Sequence, residues 1–125
     1  MNKILKSIII ILPILLASCN SGGINNQLLT LSLNPQTCSL SQNQSITTNV
    51  GGMNANDNYV YGLSTTESGT YNSFSNPEYA SGSNISISDT FTCSQITSTP
   101  GKYFIMVSDI TQGLTSNAVP ILITN

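Results

Sequence analysis

From residue 28 onward, apolar residues alternate with polar ones in short runs, and clusters of Gly, Pro, Asn and Ser separate the runs. A period of two sends successive side chains to opposite faces of a strand, and no long stretch carries the 3.6-residue period of a helix. Residues 28–33 read Leu-Leu-Thr-Leu-Ser-Leu before Pro35 interrupts them, and residues 45–50 end at Gly51-Gly52, a turn signal. Tyr59, Tyr61 and Leu63 alternate, as do Tyr103, Ile105 and Val107 after the turn Pro100-Gly101. Around Ile85, Ile87, Phe91 and Cys93 the alternation returns, but Asp89 falls on the inward parity. Either a bulge sits there or two short strands meet at Ser88-Asp89. The last run covers residues 119–123, where Pro120 suggests an edge strand. The pattern predicts an all-β domain over residues 28–125, an antiparallel sandwich of about seven strands.

The first 18 residues follow a different plan. A short basic start with Lys3 and Lys6 leads into an apolar run from Ile8 to Ala17. That is the layout of a secretory signal, whose apolar region has about 7–15 residues. A membrane-spanning helix needs about 20, and Pro13 further disfavours one. The run ends in Leu16-Ala17-Ser18-Cys19, which resembles the lipobox of bacterial lipoproteins at every position. The resemblance implies that Cys19 receives a diacylglycerol, that cleavage falls just before it, and that the membrane is a partner through this lipid (a diacylglycerol, usually joined by an N-acyl chain). Two or three acyl chains anchor durably where a single one is marginal. Asn20 follows, and in Gram-negative members of that family Asp at this position favours inner-membrane retention, so Asn points to the outer membrane. Residues 20–27 read as a tether, spanning roughly 15 Å on average.

With the signal removed, 107 residues remain, enough for one modest core. They keep one base, Lys102, against Asp57, Glu67, Glu78, Asp89 and Asp109, a net charge of −4. That balance argues against nucleic-acid binding, which neutralises phosphates with Lys and Arg, and against a basic membrane patch. Cysteines number three. Cys19 belongs to the lipobox, leaving Cys38 and Cys93. An exported protein sits where disulfides persist, so these two are expected to pair, closing 55 residues; a free or intermolecular thiol is the alternative. There is no CxxC spacing and no histidine, which leaves redox and zinc roles without support.

The opening Leu-x-Leu-x-x-Pro, Gly101-Lys102-Tyr103 before a hydrophobic strand, and Ser116-Asn117 before the final one resemble bacterial immunoglobulin-like domains. The resemblance covers about residues 27–125. It implies that Tyr103 is a tyrosine-corner residue whose hydroxyl bonds to backbone. The chain departs from the antibody pattern: it has no Trp, and Cys38 lies ahead of the strand that would hold the first core cysteine. A Cys38–Cys93 bridge would tie the first-strand region to the strand before Tyr103.

Catalytic groups are scarce. Five scattered acids and one lysine form no motif, and Ser64, Thr65 and Thr66 have no evident base, so no catalytic residue, cofactor or enzyme activity is expected. Asn54-Ala55-Asn56-Asp57-Asn58 places oxygen side chains as a calcium loop does, but lacks the glycine and terminal glutamate of an EF-hand; a polar turn without metal is expected. Residues 65–83 hold Tyr71, Phe74 and Tyr79 among Ser, Gly and Asn. Rigid aromatics among small polar residues are the chemistry of binding loops. The competing reading is that these aromatics close the core, on a further edge strand. The expectation is an envelope lipoprotein that binds a protein or glycan without catalysis; the alternative is a structural subunit of an envelope assembly, such as a secretion or pilus system.

Overall fold

A computed structural model describes residues 28–81 and 85–125. The signal, Cys19 and the tether lie outside the described residues. The alternation of Leu31 and Leu33 with Ser32 builds β1 (Thr30–Asn34), with both leucines buried. The strands that follow are β2 (Thr37–Ser39), β3 (Ser45–Met53), β4 (Asn58–Ser64), β5 (Asn72–Ser73), β6 (Glu78–Tyr79) and β7 (Ile85–Thr92). One helical turn, α1 (Cys93–Ile96), precedes β8 (Gly101–Asp109), β9 (Leu114–Thr115) and β10 (Val119–Thr124).

Two sheets share the core. One has the order β1-β3-β7; the other runs β2-β10-β8-β4-β5, with β6 also on β4 and β9 on β8. All pairings are antiparallel except β2 with β10. This is a two-sheet β-sandwich, in which the chain leaves the first sheet after β1, passes Pro35 and joins the second as β2. The inward faces are Ile46 and Val50 of β3, Tyr59 and Tyr61 of β4, Ile105 and Val107 of β8, and Ile121 and Ile123 of β10, all buried. Burying each such aliphatic side chain contributes about 1.5–3 kcal/mol.

The disulfide joins Cys38 on β2 to Cys93 at the start of α1, with the Cα atoms 5.7 Å apart. It fastens the β2 edge to the connection between the sheets. The Tyr103 hydroxyl donates to the Thr99 carbonyl at 2.9 Å, closing the corner that leads into β8.

Three local readings change. Gly51-Gly52 is not a turn: β3 continues through both glycines to Met53. The register slips between Val50 and Met53 against β7, a bulge that returns Met53 to the core on the opposite parity. Gly52 has φ +86°, and a Cβ there would collide with the Leu28 carbonyl oxygen, so only glycine fits. Correspondingly, no bulge or strand break occurs at Ser88-Asp89; β7 is continuous and Asp89 pairs in register with Thr48. Finally, β10 is an edge strand only at its start. Pro120 faces Phe104 on one side, and β2 comes alongside only from Leu122 onward, so the missing N–H lies where no second neighbour needs it.

Candidate functional site

The three aromatics of residues 65–83 do not converge. Phe74 is half-buried and packs against the core, stacked on Tyr61 with ring centroids 6.2 Å apart and edge-on to Phe91 at 5.2 Å. Tyr71 lies against Gly62, where a Cβ would come within 3.0 Å of its own, and its hydroxyl donates to the Glu67 carbonyl at 2.6 Å. Tyr79 alone stands in solvent, 72% exposed. The segment itself forms a split edge strand: β5 pairs with Gly62 and Leu63, and β6 with Asn58 and Tyr59. Between them the Ser75 hydroxyl accepts from the Tyr61 N–H at 2.9 Å.

Tyr79 borders a polar cleft of about 330 Å³ between β6 and β7, lined with Tyr59, Glu78, Ser86, Ser88 and Asp89 among others. Its floor is a hydrogen-bonded cluster that joins the two sheets. Oδ2 of Asp89 on β7 accepts the Tyr61 hydroxyl at 2.8 Å and the Tyr59 hydroxyl at 3.0 Å, both from β4. The Tyr61 hydroxyl also lies 2.8 Å from Thr48 Oγ1, which in turn accepts the Asp89 N–H at 3.2 Å. Glu78 Oε2 is 3.3 Å from the Tyr59 hydroxyl, whose single proton serves one carboxylate at a time.

Burial first, and the Asp89 carboxylate after it, push both Tyr59 and Tyr61 far above the ordinary tyrosine range; at Tyr61 the bond with Thr48 acts the other way. Both hydroxyls therefore stay neutral donors. They orient Asp89 and offer neither a base nor a nucleophile. Beyond that, the cleft presents carboxylate and serine oxygens beside an exposed aromatic ring, a set that can hold a ligand rich in hydroxyl groups.

A larger hollow of about 510 Å³ lies on the outer face of the second sheet, over Gln36, Lys102, Phe104, Pro120 and Leu122. It is mainly apolar and carries one lysine. Among the described residues, no three His, Cys, Asp or Glu side chains gather as metal ligands, and no helix is long and apolar enough to cross a membrane.

Sequence reasoning named Tyr79, which the structure leaves exposed at the cleft rim, but missed the role of Asp89. Its inward parity was the available signal, and it reports a side chain aimed between the sheets rather than a break in the strand. No family model matches the chain, and neither a curated protein nor a solved structure matches it.

Proposed function

We propose that the chain is an envelope lipoprotein, held to a membrane (the outer one in a Gram-negative cell) by lipid on Cys19, whose sandwich is a non-catalytic binding module for a glycan. The observation that carries the glycan reading is Tyr79, 72% exposed at the rim of a cleft whose other groups are polar. An exposed apolar residue alone says little. Beside the oxygens of Glu78, Asp89, Ser86 and Ser88, however, an aromatic face supplies what a sugar needs: a platform for its C–H face and acceptors for its hydroxyls. The weak charge of the domain fits a neutral ligand, since one lysine against five acids suits neither phosphates nor nucleic acid. The lipobox residues Leu16-Ala17-Ser18-Cys19 support the anchor.

The test is titration of envelope polysaccharide fragments into the full chain in detergent. Tyr79→Ala should weaken binding by about tenfold, or 1.4 kcal/mol, while the melting temperature stays put because the ring is exposed. Unchanged affinity in that variant would remove Tyr79 from the site. A near-stoichiometric protein partner, cross-linked in native membranes with no glycan bound, would favour the assembly-subunit reading instead.

A further inference from the structure

The segment Asn54-Ala55-Asn56-Asp57-Asn58 is the polar turn its composition implies. The Asp57 N–H donates to the Asn54 carbonyl at 3.4 Å, and Asn56 takes the left-handed conformation with φ 66°. Turn chemistry does not account for the Asp57 side chain. It is only 6% exposed, and its Oδ2 is buried with no hydrogen-bond partner. Native proteins seldom leave a buried polar atom unpaired, and an unpaired carboxylate is the costliest kind.

Its neighbour adds to the problem. Asp109, at the end of β8, is 2% exposed, and the Ile110 N–H beside it donates to the Asn58 carbonyl at 2.8 Å, so the turn after β8 lies against the turn that carries Asp57. Oδ1 of Asp109 accepts the Gln112 N–H at 2.9 Å. No base is near: Lys102, the one Lys or Arg among the described residues, stands exposed at the far end of β8. Two acids thus share a buried place with one oxygen empty-handed and no positive charge to offset them.

We infer that Asp57 and Asp109 bind a calcium ion where the turn after β3 meets the turn after β8. Two carboxylates match the charge of a divalent cation, and the unpaired Oδ2 is a hard oxygen donor of the kind calcium takes. Calcium is favoured over magnesium because donors on two turns form an irregular set, whereas magnesium demands near-ideal octahedral geometry. With only two charged ligands the affinity falls in the range of extracellular modules, about 10⁻⁴–10⁻³ M. The ion also touches the architecture of the cleft. The Asn56 N–H donates to the Ala80 carbonyl at 2.7 Å and the Ala80 N–H to the Asp57 carbonyl at 2.9 Å, so the turn holds the end of β6 next to Tyr79. The inference stands without the glycan reading, because it concerns Asp57 and Asp109 alone.

The experiment is a CaCl₂ titration of the full chain in detergent after EDTA treatment, followed by calorimetry and thermal unfolding. Calcium at a hundred times its Kd should raise the folding equilibrium constant about 100-fold. Glu67→Gln, at an exposed position, should keep that response; Asp57→Asn and Asp109→Asn should lose it. If Asp109→Asn does not fold, the near-isosteric Asp57→Asn decides. No calcium binding in the wild type, with Asp57→Asn more stable than the wild type, would mean that the pair shares a proton and would overturn the site. A calcium response that survives in Asp57→Asn would overturn it equally, by placing the ion elsewhere.

Discussion

Asp89→Ala removes the acceptor that two buried tyrosines share across the sheets. Tyr61 is 1% exposed and Tyr59 3%, and their bonds to Asp89 Oδ2 measure 2.8 and 3.0 Å. A hydrogen bond to a charged group contributes about 1.5–3 kcal/mol, so the pair sets an upper bound of about 6 kcal/mol. Two effects reduce the loss. The Tyr61 hydroxyl retains Thr48 Oγ1 at 2.8 Å, and the Tyr59 hydroxyl can turn to Glu78 at 3.3 Å. Removing a half-buried carboxylate also relieves its desolvation. A net destabilisation of about 3 kcal/mol is expected, or about 12–24 °C in melting temperature for a domain of this size. Asp89→Asn keeps an acceptor in place and should cost about 1 kcal/mol. Urea unfolding, read as the midpoint at constant m-value, measures both. An alanine variant within about 0.5 kcal/mol of the wild type, the spread of an ordinary surface change, would refute the view that Asp89 ties the sheets together.

Further outcomes follow from the same geometry. Replacing both Cys38 and Cys93 by serine releases a 55-residue loop and should cost about 4 kcal/mol in urea unfolding, with no change on adding reductant to the variant. Raising pH should unfold the domain through its tyrosines. Tyr59 and Tyr61 are pushed up from 10.0, so their contribution is complete below pH 10 and is lost as pH climbs above it, where only the unfolded chain ionises. For Tyr61 the loss is about 1.4 kcal/mol per pH unit. Two of the five tyrosinates appearing only together with loss of the β-sheet circular dichroism would agree; all five tyrosines ionising in a folded protein would not. Cys19→Ala should leave an unprocessed precursor without lipid mass, and normal processing to a soluble product would contradict the anchor.

The strands were legible because alternation is local. Leu31 and Leu33, Tyr59 and Tyr61, and Ile105 and Val107 declare their inward face within five residues of chain, and the structure buries all of them. The disulfide was legible by elimination. What failed depended on partner strands. A Gly-Gly pair reads the same in a turn and in a bulge, and only the register of β3 against β7 separates them. Asp89 on the inward parity looked like a broken strand because its tyrosine partners come from the other sheet. Phe74 looked like its neighbours Tyr71 and Tyr79, yet a β4 edge with Tyr61 behind it draws that ring alone into the core. Asp57 and Asp109 lie on turns far apart in sequence, so nothing along the chain announces that the fold sets those turns side by side.

The most direct test of the binding-module account is amide NMR of the isotope-labelled full chain in detergent, titrated with envelope polysaccharide fragments. The account predicts saturable shifts confined to the cleft rim, at Glu78, Tyr79, Ser86, Ser88 and Asp89. Shifts centred instead on Phe104 and Leu122 of the outer sheet face, or no shifts at saturating glycan, would contradict it.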